Sequence, residues 1–360
     1  MRHKLARLAL AVGVIALGTA ASQATTPENL RNATIKPATL NGTLSETVSA
    51  IASKADDDEW IGYSVEPRPG IQVCGGTWHN GRSRADLSED EDGMSTSNFD
   101  EEEDGFAVER DLAVLLRVGN GRIDRIRVFT DDCPVKASGV VVHWLGNIPS
   151  NESIDYLSKL LSTEPANKRE RERLHSRACA ALATHADPSV VTAMERAVEK
   201  QTNDQLRGEI VFWIGESGSP ECVPMLLRLL DDDPSEHVRE QTVFALSCND
   251  SKEALDALIV SAKQHDDRDV RSKALFWLAQ KAGERAKETL RDAAIDDPDQ
   301  YVKEQAVFAL SQLPEDEGVP MLIDVARNNP NAKVREQAIF WLGQSEDPRA
   351  LTFFEEILSR

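Results

Sequence analysis

A 32-residue period through the second half of the chain limits its fold more than any other feature of the sequence. Aliphatic residues recur at this spacing, phenylalanines recur six positions after them, and leucine or isoleucine recurs eight positions after them. The aliphatic series is Leu174, Leu206, Val238, Val270, Val302 and Val334, and the phenylalanine series is Phe212, Phe244, Phe276, Phe308 and Phe340. Such a period is typical of a solenoid, whose units bury their apolar faces only against their neighbours.

Each period contains two helical patterns, which we call the first-type and second-type helices. Asp-Pro or Asn-Pro precedes the second-type helix at 233, 297 and 329, which predicts an N-cap followed by proline at the first helical position. The pattern at residues 349–360 is of the first type and is expected to cover the end of the array. We therefore predict an all-α solenoid, a superhelix of about six 32-residue repeats, over residues 151–360.

An aliphatic-basic pair opens most second-type helices, and leucine usually stands at the eighth step after the aliphatic residue. The pairs are Val238–Arg239, Val270–Arg271, Val302–Lys303 and Val334–Arg335. These units resemble HEAT-like repeats, particularly the short phycobilisome-lyase-type variety, over more than half of the chain. The Phe-Trp pairs, "EWIGYSVE" and "FTDDC" also look similar to a group of exported bacterial HEAT-repeat proteins. The resemblance implies an interaction scaffold more often than an enzyme.

The phenylalanine series falls on the polar side of its helices. At 100° per residue, the aliphatic residue and the residues four, seven and eight steps later form one apolar stripe, whereas the phenylalanine lies at about 240°. Phe340 thus stands among Glu336, Gln337 and Gln344. Stacked repeats would align these rings over a length on the order of 40 Å. Two interpretations stay open: the rings contact a partner protein, or each ring folds onto the next repeat.

The partner interpretation places a binding surface on the concave face of the solenoid, which such arrays use for partners. The candidate anchors are Phe212, Phe244, Phe276, Phe308 and Phe340, and the candidate polar rim is Glu240, Glu304 and Glu336. One step further along each helix, tryptophan and alanine alternate: Trp213, Ala245, Trp277, Ala309 and Trp341. Because alternating large and small residues suit close packing of layers, we expect the tryptophans in the core.

A basic residue follows the aliphatic residue in most units. This series is Arg207, Arg239, Arg271, Lys303 and Arg335. In HEAT arrays such residues usually pair with acidic groups of the preceding turn, here Asp233 or Asp297. We therefore expect a structural role for them rather than ligand binding.

The N-terminus has the parts of a secretory signal peptide. A basic start at residues 2–7 precedes an apolar run at 8–17, and small residues at 22 and 24 fit a cleavage site. We expect removal of residues 1–24 and a periplasmic or secreted mature chain without stable membrane insertion. The alternative is a retained membrane anchor, for which the apolar run is short.

Between the signal peptide and the repeats, the sequence predicts a small β-rich domain. Residues 25–59 form an N-terminal segment with one possible helix from about Leu44, capped by Ser45. Residues 60–148 contain the strand patterns "IGYSVE", "GIQVCGG" and "GVVVHWL". Two alternating runs joined by "GNG" at 119–121 predict a β-hairpin.

An acidic stretch interrupts the predicted strands at residues 88–105. We interpret it as a solvated loop. A weaker alternative is a calcium site, because alternate carboxylates precede a glycine there. Its candidate ligands are Asp100, Glu102, Asp104 and Asp111.

The mature chain retains five cysteines, so at least one has no partner within the chain. A Cys74–Cys133 disulfide would help the small β-rich domain, which is marginal for burying its own core. Cys222 and Cys248 lie at adjoining ends of two antiparallel helices, so a bridge between them is also reasonable. Cys179 is expected to be an unpaired core cysteine.

Signals for chemistry are scarce. The net charge of −20 disfavours nucleic acid as a partner, and the sequence has no HExxH, GxSxG, GxGxxG or P-loop motif. Deoxyhypusine hydroxylase also uses HEAT-like repeats, with His-Glu pairs that hold iron, but this chain has no His-Glu dipeptide.

These features predict an exported, non-catalytic scaffold that binds another protein and needs no cofactor. One alternative is an enzyme, a metal-dependent oxidoreductase or a lyase, with a site in or next to the β-rich domain. His79 or His143 would then take part. The other alternative is a calcium-binding adhesion module.

Overall fold

The structure is a computed structural model of the 360-residue chain. It describes residues 27, 29–69, 71–75, 77–79, 82–87, 94–98, 111–281 and 283–359. The expected signal peptide at 1–24 and most of the acidic stretch at 88–105 lie outside the described residues. Within the described residues, no helix combines the length and the apolar character that a membrane crossing requires.

Strands dominate the described chain up to residue 147. They are β1 (Leu30–Arg31), β2 (Thr34–Pro37), β3 (Trp60–Val65), β4 (Ile71–Gly75), β5 (Thr77–His79), β6 (Arg82–Asp86), β7 (Met94–Asn98), β8 (Leu112–Gly119), β9 (Arg122–Thr130), β10 (Val135–Lys136) and β11 (Val141–Asn147). A five-stranded sheet has the order β2-β11-β3-β8-β9, a four-stranded sheet has the order β1-β10-β6-β5, and β4 pairs with β7. The main sheet is mixed, because β11 runs parallel to β2 and β3 whereas β3, β8 and β9 pair antiparallel. The predicted strand-rich region is therefore present.

The hairpin predicted from "GNG" is β8–β9. Its turn residues Asn120 and Gly121 have φ angles of +52° and +72°, as a two-residue type I′ turn requires. The acidic stretch differs from the prediction. Part of it forms β7, which pairs with β4, so the stretch is not a loop throughout.

The N-terminal segment belongs to the sheets. β1 pairs with β10 and β2 pairs with β11, both in parallel. The predicted helix is α1 (Leu44–Ala52), but its N-cap is Thr43, because the Thr43 hydroxyl accepts the Glu46 amide and the Glu46 carboxylate accepts the Thr43 amide. The prediction of Ser45 as the cap was wrong, since Ser45 already lies in the first turn of the helix.

A disulfide joins Cys74 of β4 to Cys133, just after β9, with 5.5 Å between the Cα atoms. It links β4 to the turn between β9 and β10, which is 59 residues away in the sequence, and Cys133 is fully buried. This predicted bridge is therefore present in the structure.

From residue 150 the described chain is helical. The helices are α2 (Ser150–Leu161), α3 (Lys168–Glu170), α4 (Ser176–Ala183), α5 (Ser189–Lys200), α6 (Asp204–Glu216), α7 (Val223–Asp232), α8 (Glu236–Cys248), α9 (Lys252–Gln264), α10 (Arg268–Gln280), α11 (Glu284–Asp296), α12 (Gln300–Ser311), α13 (Glu315–Asn328), α14 (Ala332–Leu342) and α15 (Pro348–Leu358). A π-helical stretch, Arg171–His175, joins α3 to α4. The even-numbered helices from α4 to α14 are the second-type helices. Their aliphatic and eighth-step residues are buried, as for Val238 and Leu246 in α8, so the predicted core stripe is present.

The turns before the second-type helices differ from the prediction in detail. The N-caps are not the Asp or Asn before proline but the residues two positions later, such as Asp299 and Asn331. Asp297 and Asn329 instead accept the backbone amides of those capping residues. The side chain before proline therefore does not cap the helix, and it can contact a neighbouring repeat while it accepts this amide.

Basic residues use those side chains to connect repeats. The Arg207 guanidinium forms an ion pair with Asp233 at 2.9 Å, and Arg271 forms one with Asp297 at 2.8 Å. The predicted pairing with aspartate is therefore present, but the aspartate belongs to the turn of the following repeat. Each of these guanidinium groups also donates to backbone carbonyls of the preceding turn, Arg207 to Gln201 and Arg271 to His265. Arg335 makes the same contact with the preceding turn, where it donates to the backbone carbonyls of Asn329 and Pro330.

The strand-rich region and the solenoid share one apolar core, which contains residues of both. A buried polar chain also crosses the junction: the Tyr63 hydroxyl lies 3.0 Å from Ser153 Oγ, and Ser153 Oγ lies 2.9 Å from His185 Nε2. The Arg68 guanidinium donates to the Glu216 carbonyl at 2.9 Å. The two regions are therefore packed as one body around this junction.

Candidate functional site: an aromatic ladder on the second-type helices

The five repeated phenylalanines lie on the same side of the successive helices α6, α8, α10, α12 and α14. Four of them, Phe212, Phe244, Phe276 and Phe308, are half-buried. Phe340, in the last second-type helix, is 54% exposed. The helical position at about 240° from the apolar stripe therefore keeps these rings out of the core without exposing them fully.

The rings touch from repeat to repeat. Phe212 stacks on Phe244 with 5.5 Å between ring centroids, and Phe244 stacks on Trp277 at 4.5 Å. Phe276 then stacks on Phe308 at 6.4 Å, and Phe308 meets Trp341 at 5.2 Å. These separations fall in the range of favourable aromatic pairs.

Edge-to-face contacts within single helices join these pairs into one series. Phe212 and Trp213, Phe276 and Trp277, and Phe340 and Trp341 each have centroids 5.1 Å apart. We call the eight connected rings the aromatic ladder: Phe212, Trp213, Phe244, Phe276, Trp277, Phe308, Phe340 and Trp341. Each ring packs on a neighbouring ring and retains some exposure. The two interpretations, packing between repeats and a surface open to a partner, therefore do not exclude each other.

The tryptophans correct a prediction. Trp213, Trp277 and Trp341 are half-buried members of the ladder, whereas we expected them in the core. The alternating Ala245 and Ala309 are fully buried. All three indoles pack against the apolar core from its edge, and Trp277 and Trp341 also lie against the phenylalanine of the previous repeat.

A close contact between α6 and α8 positions the first stacked pair of the ladder, Phe212 and Phe244. A Cβ at Gly215 of α6 would overlap the backbone of Ala245 in α8. Glycine therefore allows these two helices to approach closely. This approach brings Phe212 and Phe244, which lie three and one residues before that contact, into a parallel stack.

A recess of about 560 Å³ opens beside the first rings. Its walls include Phe212, Trp213 and Phe244, with Gln241 and Arg177 at the polar side. Glu209 also lines it, and this carboxylate binds Arg171 and the Ser176 hydroxyl. Rings and polar side chains of the second-type helices therefore face the same open space.

The three glutamates of the predicted polar rim differ in their surroundings. Glu240 forms an ion pair with Lys273 at 2.9 Å. Glu304 accepts a hydrogen bond from the Gln300 amide at 2.8 Å. Glu336 is exposed and has no ion pair in the described part of the chain. Uncompensated negative charge is therefore concentrated at the C-terminal half of the ladder.

The sequence interpretation missed a row of glutamines. Gln241, Gln305 and Gln337 each lie three residues before a ladder phenylalanine, on the same side of the helix. All three are half-buried, and none of their side chains makes a hydrogen bond within the described residues. Their spacing of 64 and 32 residues is the signal that would have revealed them.

The predicted Cys222–Cys248 bridge was wrong, because both cysteines are free thiols. Asn249, not Cys248, approaches Cys222, with its Nδ2 atom 3.5 Å from the sulfur. One residue along a helix turns the side chain by about 100°, which directs Cys248 elsewhere. Cys179 is buried and unpaired as expected, and burial raises the pKa of its thiol.

A second recess, of about 650 Å³, lies between α1 and the edge of the main sheet. Glu59 lines it with its carboxylate 2.7 Å from His143 Nε2 and 2.8 Å from Lys36 Nζ. The hydrogen bonds from His143 and then from Lys36 lower the pKa of Glu59. Ala50 and Ile51 supply apolar wall. This recess is the part of the strand-rich region where His143 meets other titratable groups.

Most of the remaining candidate site residues lie outside the described part of the chain. Asp100, Glu102 and Asp104 lie outside the described residues, as does the side chain of His79. Asp111 is described, and its carbonyl accepts the amide of Asp131. Among the described residues, no group of three or more His, Cys, Asp or Glu side chains is arranged to hold a metal ion.

Comparison with known proteins identifies the repeats. The family model for HEAT repeats matches three overlapping segments, 195–279, 259–340 and 287–360. Residues 195–360 therefore consist of HEAT repeats, and a strand-rich region precedes the helical part of the chain. No curated protein sequence matches the chain. A solved structure of human deoxyhypusine hydroxylase in complex with glycerol is similar at 18% identity over 57% of this chain and 90% of that chain. With a TM-score of 0.28, this similarity carries no argument about activity.

Proposed function

We propose that the protein is an exported, non-catalytic scaffold that binds a partner protein through the concave face of its solenoid. The observation that carries the proposal is the aromatic ladder, whose eight rings form a connected and partly exposed apolar strip. Contiguous apolar surface that is open to solvent often marks an interaction site. Aromatic side chains are also enriched among the residues that dominate binding energy.

The test uses the whole mature chain, because the strand-rich region and the solenoid share a core. Phe340→Ala removes the most exposed ladder ring, and Leu358→Ala removes an apolar side chain that is 84% exposed on α15. Each variant serves as bait in a periplasmic extract, with recovered proteins quantified by mass spectrometry. We expect one recovered protein to be lost with Phe340→Ala and retained with Leu358→Ala. Equal recovery with both variants would contradict the proposal.

Export is a separate part of the proposal, supported by the sequence of residues 1–24. We expect the mature chain to begin near residue 25 and to fractionate with periplasmic or secreted proteins. Intact-mass measurement on the purified native protein checks the new N-terminus. Recovery of the uncleaved chain in a membrane fraction would favour a retained anchor.

An enzyme is the second candidate, and the contacts among Glu59, His143 and Lys36 in a recess are the observation that favours it. A metal-dependent oxidoreductase or lyase predicts stoichiometric zinc or iron in the purified protein. Metal analysis of the native protein distinguishes this candidate from the scaffold. The calcium-binding adhesion module predicts a melting temperature that rises with added calcium.

A further inference from the structure

The C-terminal half of the aromatic ladder combines three features that identify a partner more narrowly. We propose that it binds an extended, basic segment of the partner protein in the polyproline II conformation. This inference rests on the proposed function and names the chemistry of its ligand. The site comprises the rings of Phe276, Phe308, Phe340 and Trp341, with the rows of glutamate and glutamine beside them.

Charge is the first feature. Glu304 and Glu336 lie on the ladder side of α12 and α14, and neither forms an ion pair within the described residues. Lys333 lies three residues before Glu336 but does not reach it. Toward the N-terminal half, Arg171 neutralises Glu209, and Glu240 is neutralised by Lys273, which lies on α10 three residues before Phe276. The C-terminal half therefore favours a cationic ligand, whose arginine or lysine heads pair with the glutamates and whose stems lie over the rings.

Unused amide groups are the second feature. Gln305 and Gln337 are half-buried beside Phe308 and Phe340, and their side chains make no hydrogen bond in the described part of the chain. An amide carries both donors and an acceptor, which matches the peptide groups of a backbone without secondary-structure partners. These groups suit a ligand whose backbone carbonyls are free, as in polyproline II.

Spacing is the third feature. Packed helices of neighbouring layers are ~8–10 Å apart, so equivalent side chains recur at about that interval along the ladder. Polyproline II advances ~3.1 Å per residue with three residues per turn, so every third side chain recurs on one side at about 9 Å. Same-side residues of a β-strand recur at only about 6.6 Å. A basic residue at every third position therefore meets one glutamate per repeat.

The test measures binding of labelled peptides to the whole mature chain by fluorescence anisotropy. One peptide repeats Pro-Pro-Arg four times, a second repeats Pro-Pro-Gln, and a third has the composition of the first with its arginines contiguous. We expect the first to bind most tightly and to weaken as salt is added. The inference is overturned if the arginine and glutamine repeats bind equally, or if the contiguous peptide binds as tightly as the spaced one.

Variants assign the effect to the site. Glu304→Gln combined with Glu336→Gln should weaken binding of the arginine repeat roughly three- to tenfold and leave the glutamine repeat unchanged. Glu288→Gln with Glu355→Gln makes the same change in net charge at exposed carboxylates of first-type helices, and we expect a change within about twofold. Equal effects of the two pairs would overturn the inference.

Phe340→Ala separates this inference from the proposed function. If it weakens binding of the glutamine repeat while the glutamate variants have no effect, the ladder binds peptides without charge selection and only the present inference fails. If it changes the affinity of none of the peptides, the ladder is not the binding surface and both proposals fail.

Discussion

The strand-rich region is stabilised by contacts between residues far apart in the sequence, whereas the solenoid is stabilised by contacts between residues about one repeat apart. In the strand-rich region, Leu30 pairs with Val135, the Asn29 amide donates to the Thr130 carbonyl, and a disulfide spans 59 residues. In the solenoid, ion pairs and hydrogen bonds join positions about one repeat apart, such as Arg271 and Asp297. The fold of the strand-rich region therefore depends on the closure of a long chain segment, whereas each repeat of the solenoid adds its own contribution to stability.

The same difference explains where a binding surface can form. In the sheets, the larger aromatic side chains such as Trp60 and Phe129 are buried almost completely. In the solenoid, each repeat adds a ring beside the ring of its neighbour, so an apolar strip can be long while each ring keeps a packing partner. A partly exposed aromatic surface is therefore a consequence of repetition here, and its length follows the number of repeats.

The largest expected effect is in the solenoid, at the buried pair between Arg271 and Asp297, whose side chains are 8% and 4% exposed. Asp297→Ala leaves the guanidinium buried without its carboxylate, so we expect the free energy of unfolding to fall by about 3–5 kcal/mol. Urea denaturation measures the loss. Hydrogen exchange should accelerate mainly in α10 to α13, with the strands less affected. Acceleration spread evenly over the strands would contradict the local behaviour assigned to the solenoid.

Asp292→Ala is the matched control for that variant. Asp292 also pairs across repeats, with Lys263 at 3.0 Å, but both side chains are about half exposed, at 46% and 39%. We expect a change of less than about 1 kcal/mol, because solvent screens the pair.

The strand-rich region should respond next, to Cys74→Ala with Cys133→Ala. Loss of a link across 59 residues should lower the free energy of unfolding by about 2–4 kcal/mol. Hydrogen exchange should accelerate first in β4 and β9. Cys248→Ala, at a half-buried free thiol, controls for the loss of a cysteine. If both changes have the same effect, the disulfide does not stabilise this region.

Repetition also decided how much could be predicted from the sequence. The period fixed the helix pairs and the buried series that includes Val238 and Leu246, because one physical constraint recurs several times. The hairpin was predictable from Asn120 and Gly121, since only a few turns accept φ angles of that sign. The parallel pairing of β1 with β10 was not, because contacts of that range leave no local pattern.

The candidate site was predictable only in part, and for a geometric reason. Helical angles place Phe340 on the polar side correctly, but they do not specify how a ring tilts toward the next layer. They therefore placed Trp341 in the core, whereas it lies partly exposed against Phe308. The predicted bridge between Cys222 and Cys248 was wrong for the same reason, since adjoining helix ends do not determine which side chains meet.

The junction offers a test of how strongly the two regions are coupled. Burial lowers the pKa of His185 to about 4 from its usual 6.5, and its Nδ1 donates to the Ala181 carbonyl at 2.6 Å. The unfolded chain therefore binds the proton more readily. Stability from this group is fully present above pH 6.5 and is lost as the pH falls toward 4, by about 2 kcal/mol between pH 7 and pH 5.

Urea denaturation at several pH values measures this loss, and His185→Gln supplies the comparison. The variant should reduce the slope of stability against pH in that interval, whatever its absolute stability. If fluorescence from the tryptophans of both regions reports one transition at pH 7 and two at pH 5, protonation separates the regions. An unchanged slope in the variant would assign the pH dependence to other groups, such as the buried His175.

The smallest expected changes in the free energy of unfolding distinguish two rings of the ladder. The ring of Phe308 pairs with the rings of Phe276 and Trp341, whereas the exposed ring of Phe340 has Trp341 as its single aromatic partner among the described residues. Phe308→Ala should lower the free energy of unfolding by about 1–2 kcal/mol, less than for a fully buried phenylalanine, and Phe340→Ala by about 0.5 kcal/mol. Urea denaturation of both variants measures the difference. Equal losses would mean that stacking between repeats contributes little. The opposite order would mean that the free end of the ladder is stabilised by contacts other than Trp341. The expected order makes Phe340 the ring whose removal changes binding with the least change in the fold.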